Sequence, residues 1–156
     1  MKRLSITLIL IVTVSFAVHA QDYRTSLGLR AGLPVGVTLK HFLSDRNAVE
    51  GILASRWGGF LITGLYEIEH WTGEYPALNW YWGFGAHLGT WTRGYNPRLD
   101  AAYNGAVIGI DGIVGVEYTF DQIPLNLSLD LMPSLNIIGY TGWGGINGAL
   151  SIRYVF

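Results

Sequence analysis

The sequence predicts an all-β fold: eight antiparallel strands, run up and down and closed into a barrel. Three observations point there. From Leu125 to Leu135 every second residue is apolar (Leu125, Leu127, Leu129, Leu131, Pro133, Leu135), with Asn126, Ser128, Asp130, Met132 and Ser134 between them. From Ile146 to Phe156 the same alternation puts Ile146, Gly148, Leu150, Ile152, Tyr154 and Phe156 on one face, and Asn147, Ala149, Ser151, Arg153 and Val155 on the other. Period-two alternation is the mark of a strand with one apolar and one polar face. The third observation is composition: half of the residues are hydrophobic and only 13% are charged, about half the usual share. So few charges cannot cover a soluble domain of this size, and the apolar side chains must face something other than a small interior.

The first residues read as an export signal. Lys2 and Arg3 give a positive start, Leu4 to Val18 is almost continuously apolar, and Val18-His19-Ala20 offers small residues for cleavage before Gln21. The run is shorter than the ~20 residues that a spanning helix needs. The expected organisation is therefore a signal peptide over 1–20 and one barrel domain over 21–156. Lys2 and Arg3 account for two of the ten basic residues, so the domain carries eight against eleven acidic ones, a net charge of −3. That balance argues against nucleic acid as a partner. The chain has no cysteine, so it can have neither a disulfide framework nor a lipid attached through a thiol. An exported chain with an apolar exterior and no spanning helix has one solution in a bilayer. It is a closed transmembrane β-barrel, in which every backbone group pairs between strands.

The strands follow in order. The first is read over Tyr23–Gly32, before a tight Leu33-Pro34-Val35-Gly36 connection. The second is Val37–Leu43, closed by Ser44-Asp45-Arg46-Asn47, and the third is Ala48–Trp57, with a Gly58-Gly59 hairpin. The fourth is Phe60–Glu69, followed by His70 to Pro76; the fifth is Leu78–Trp91, followed by the longest loop, Thr92 to Gly105. The sixth is Ala106–Phe120, with the turn Asp121-Gln122-Ile123-Pro124, and the seventh is Leu125–Ile138. Gly139 to Gly145 then lead to the eighth, Ile146–Phe156. Segments of about ten residues suit a tilted crossing of a hydrocarbon layer, and an even number returns both ends to one side.

Parity sorts the side chains. Leu27, Leu29, Val37, Leu39, Leu53, Phe60, Ile62, Tyr66, Leu78, Trp80, Trp82, Phe84, Ile108, Ile110, Val116, Tyr118 and Phe120 fall outward. Nearly every strand charge falls inward: Arg24, Arg30, Lys40, Glu50, Arg56, Glu67, Glu69, Asp111, Glu117, Asp130 and Arg153. Tyr66, Trp80, Tyr118, Phe120, Tyr154 and Phe156 lie near one end of their strands, where an aromatic girdle at a membrane interface belongs.

On this pattern, and on the end Tyr154-Val155-Phe156, the chain resembles the small eight-stranded bacterial outer-membrane β-barrel proteins, the outer membrane protein beta-barrel domain family. The resemblance implies a porin-like fold in the cell outer membrane, surrounded by outer-membrane lipid. It also implies that Tyr154 and Phe156 form the signal read by the barrel assembly machinery during biogenesis. Family members that act as adhesins carry long protruding loops; most connections here are short.

Eight strands enclose room for little more than their own side chains. Five basic and six acidic inward groups are near balance, as a closed ion-pair network requires, so the expected lumen is filled and does not conduct. Hairpin counting sets Lys40 beside Glu50, Glu67 opposite Glu50, and Asp130 near Arg153. Gly83, Gly85 and Gly89 around His87 form a bare stretch of the inner wall, which long side chains such as Arg30 are expected to fill. No metal, cofactor or catalytic group is expected, because His41, His70 and His87 show no spacing to a nucleophile and an orienting carboxylate. A lipid-modifying barrel enzyme is the rival reading. A second rival binds a surface partner through Arg93, Tyr95, Arg98 and Tyr103 of the Thr92–Gly105 loop, residue types suited to adaptable contacts. A monomer is expected.

Overall fold

The structure, a computed structural model, describes residues 24–56, 58–73, 77–91, 105–139 and 141–156. Its strands are β1 (Thr25–Gly32), β2 (Val35–Phe42), β3 (Asn47–Arg56), β4 (Gly59–Trp71), β5 (Leu78–Trp91), β6 (Gly105–Thr119), β7 (Leu125–Ile138) and β8 (Gly142–Val155). Each pairs antiparallel with its sequence neighbour, and β1 pairs with β8 to close the ring. No helix occurs among the described residues.

Closure is made by the two ends of the chain. Phe156 donates its backbone N–H to Thr25 O at 2.8 Å, and Thr25 donates to Phe156 O at 3.2 Å. With the ring closed no strand edge is left open, so backbone donors and acceptors are satisfied between neighbours. The start of β1 and the end of β8 lie at one end of the barrel, the termini end, with the ends of β2, β4 and β6; the ends of β1, β3, β5 and β7 lie at the opposite end.

The alternation places apolar residues outside and charge inside. Leu29 and Ile146 are each 64% exposed, while Arg30 is 1% and Arg153 0% exposed. The whole outward set named above is exposed or half-exposed. One inward assignment changes: Arg24 precedes β1 and is exposed at the rim instead of within the lumen.

Several boundaries move, and with them the register. Arg56 pairs with Gly59, so the β3–β4 hairpin turns one residue earlier than a Gly58-Gly59 turn would. Glu50 therefore faces Leu65, and Glu67 faces Ala48. At the other seam, β8 begins at Gly142, four residues before Ile146. The second half of the glycine-rich stretch that composition marks as a loop, Gly142 to Gly145, is strand. Gly142 and Gly145 take φ of 140° and 100° there, a conformation open to glycine and costly for other residues. The ladder slips one residue between Ser134 and Leu135. As a result Asp130 faces Ala149, and Arg153 faces Asn126.

Gly145→Ala should destabilise the barrel by about 1–2 kcal/mol, since alanine at that φ is strained whatever space surrounds it. Gly64→Ala should be nearly neutral, because a methyl there meets nothing within 4 Å. Urea unfolding of the two variants, refolded in detergent micelles, measures the contrast.

Candidate functional site

The lumen is the candidate site, because it gathers nearly all of the chain's buried charge. Arg30 on β1 forms a two-pronged pair with Asp130 on β7: Nη1 donates to Oδ2 at 2.8 Å and Nη2 to Oδ1. Arg153 on β8 donates to Glu50 Oε1 on β3 at 2.6 Å, and its other nitrogen reaches Ser128 Oγ at 2.8 Å and Asn126 Oδ1 at 3.2 Å. Thr38 donates to the same Glu50 oxygen. Lys40 Nζ lies 3.0 Å from Glu67, 2.6 Å from Glu69 and 2.8 Å from Glu117, and 4.4 Å from the centre of the Tyr81 ring. Tyr81 donates to Asp130 at 3.4 Å and so joins the two groups.

These partners differ from the ones that hairpin counting gives. Lys40 and Glu50 are register neighbours, yet Lys40 reaches β4 and β6, and Glu50 takes its cation from β8. Asp130 pairs with Arg30 in place of Arg153. Two causes act together: the register shifts just described, and the length of Arg and Lys, which lets them cross a narrow lumen.

Nearer the end opposite the termini, His87 Nδ1 lies 2.9 Å from Asp111 and Nε2 3.0 Å from Asn136 Oδ1. Arg56 donates to Asn147 Oδ1 at 2.7 Å and to Gly144 O at 3.3 Å. The bare wall of Gly83, Gly85 and Gly89 leaves no hollow. A Cβ at these positions would run into the backbone of β4, at Tyr66, Gly64 and Phe60 respectively. Strand proximity fills that stretch, and Arg30 is engaged elsewhere.

Between the two polar groups lies an apolar layer of Ile52, Ala54, Leu65, Ile113 and Met132, with the Tyr81 ring packed in the same cluster. On β3 it separates Glu50 from Arg56, on β6 Glu117 from Asp111, and on β7 Asp130 from Asn136. The alternation contains this signal, since Ile113 and Met132 carry inward parity among polar neighbours on the same face. The inward polar residues Ser26, Thr38, Asn126, Ser128, Asn136 and Asn147, all buried, were equally legible by parity and lack only a charge to draw notice.

At the termini end the lumen opens into a cavity of about 400 Å³, lined among others by Arg24, Lys40, Phe42, Glu69, Trp71, Asn79 and Glu117. The girdle surrounds this end. His70 stacks on Trp80 at 4.3 Å and accepts from Trp82 Nε1 at 3.3 Å. Tyr118 meets Phe120 edge-on at 4.8 Å, and Tyr154 stacks on Phe156 at 6.3 Å. His41 Nδ1 lies 2.8 Å from the Thr25 hydroxyl. Arg93, Tyr95, Arg98 and Tyr103 lie outside the described residues. Among the described residues no three His, Asp or Glu side chains converge with metal-ligand geometry.

Removing one member of a buried pair strands the other, at a typical cost of about 3–5 kcal/mol. Arg153→Met should destabilise the refolded barrel by that order, and adding Glu50→Met should recover much of the loss. For the second pair, Asp130→Arg should be rescued by Arg30→Asp and not by Arg153→Asp. Chemical denaturation of the single and double variants checks both.

The fold is similar to a solved structure, the N-terminal β-barrel domain of Pseudomonas aeruginosa OprF. The TM-score is 0.65 at 15% sequence identity, covering 87% of this chain and 100% of that domain. No family model and no curated protein matches the sequence.

Proposed function

We propose that the protein is a small transmembrane barrel of a bacterial outer membrane, structural or surface-presenting in role, with a filled lumen and no catalytic chemistry. The observation that carries this reading is the inverted distribution of polarity. An apolar exterior surrounds a closed ring of strands, and the charges are paired inside. In water such a surface would aggregate. In a bilayer it is the arrangement that turns apolar side chains to hydrocarbon and leaves no strand edge unpaired. The likeness to the OprF barrel, a domain of an outer-membrane protein, supports the location. The aromatic girdle supports an interface at the termini end. The apolar layer across the lumen supports the absence of conduction, because ions would have to cross it unsolvated.

Expressed from residue 1 in a bacterium with two membranes, the protein should fractionate with the outer membrane. Deleting Phe156 should lower the amount inserted more than the amount made. Purified protein in planar bilayers should give no stable openings; reproducible ion-selective currents would overturn the filled lumen. Leu129 is 59% exposed, and Leu129→Arg should cost about 2–4 kcal/mol in lipid if it sits at the midplane, as read by folding into vesicles.

A further inference from the structure

We propose that the cavity at the termini end is a binding site for a small primary-ammonium compound of the linear alkyl diamine class. Its volume, about 400 Å³, falls within the range of about 300–1,000 Å³ typical of small-molecule sites. Its floor is formed by Lys40, Glu69 and Glu117, all buried.

The chemistry of that floor selects the sign of the ligand. An ammonium has three N–H donors. Lys40 Nζ lies 3.0 Å from Glu67, 2.6 Å from Glu69 and 2.8 Å from Glu117, and donates a hydrogen bond to Glu117. Three carboxylates surround that ammonium, and they disfavour an anion beside it. On the floor, Glu69 and Glu117, together with the fully buried Glu67, share the one ammonium of Lys40, while the cavity's other cation, Arg24, is at the exposed rim. Glu69 Oε2 receives only a 3.4 Å contact from the Asn79 amide, and Oε1 accepts no well-aligned hydrogen bond despite its closeness to Lys40. Asn79 Oδ1, on the same wall, is buried and has no hydrogen-bond partner. The floor is thus short of donors and of positive charge, and an entering ammonium supplies both. Phe42 and Trp71 line the wall and suit an alkyl stem; Lys40 Nζ already lies 5.2 Å from the centre of the Phe42 ring, so Trp71 is the aromatic face open to the cation. Asp45 at the exposed rim is placed to meet the second ammonium.

The test is a titration of the barrel refolded in detergent micelles with cadaverine, a linear alkyl diamine, and with valerate as the anionic control. Calorimetry and backbone amide resonances are the readouts. Cadaverine should bind saturably at millimolar concentration and shift the amides of Phe42, Asn79 and Thr119; valerate should do neither. Glu69→Gln and Asn79→Leu should each weaken binding about tenfold, the loss of one good charge-assisted or polar contact. Ser55→Ala, at the opposite end, should leave it unchanged. If Glu69→Gln does not refold, Asn79→Leu decides, since Asn79 is half-buried and holds no ion pair. Failure of cadaverine to saturate, equal binding of valerate, or affinity that survives Asn79→Leu overturns the proposal.

Discussion

Counter-charge reached across the lumen is the interaction on which this barrel's interior depends. A buried carboxylate or guanidinium costs several kcal/mol unless an opposite charge and hydrogen bonds compensate it. The backbone ladder ties each strand to its two neighbours. The ion pairs do something different, joining β1 to β7, β8 to β3, and β2 to both β4 and β6. They act as struts across the ring. A strand that slipped by two residues would keep its side chains on the correct faces and still lose its partner across the lumen. Parity alone cannot specify register, and the struts supply what parity lacks.

The exterior obeys a looser rule. Leu, Ile, Val and Phe are interchangeable there within limits of size, since hydrocarbon asks only that a surface be apolar. Demands sharpen at the girdle, where the amphipathic rings of Trp80, Tyr118 and Tyr154 lie toward the termini end. His70 extends that ring by stacking on Trp80, so an imidazole serves as one more flat, partly polar plate.

How much of this was legible in the sequence depended on the physics involved. Facing was legible, because a two-residue period survives any error in strand limits: Leu129 is outward and Asp130 inward wherever β7 starts. Partnership was not. It needs the length of each turn, and the glycine-rich stretch before Ile146 reads as loop while serving as strand, an error of four residues that displaced Arg153 from Asn126 to Asp130. It also needs side-chain reach: Lys40 bypasses its register neighbour Glu50 because a four-carbon stem can. Arg24 was misassigned for a simpler reason, since parity continues past a strand's end while burial does not. The cavity at the termini end left no sequence signal. It arises where inward residues of several distant strands stop short of one another.

The apolar layer of Ile52, Leu65, Ile113 and Met132 has a consequence beyond blocking ions. Among the described residues it separates the polar groups of the interior into two compartments. Among the described residues, the hydrogen bonds made on the Lys40 side end at Tyr81 and Asp130, and those of the His87–Asp111–Asn136 group lie beyond the apolar packing. The barrel is in this sense modular along its axis: one compartment can diversify in charge and ligand while the other preserves the geometry of the opposite rim. Two independent histories of substitution can therefore be written on a single ring of strands.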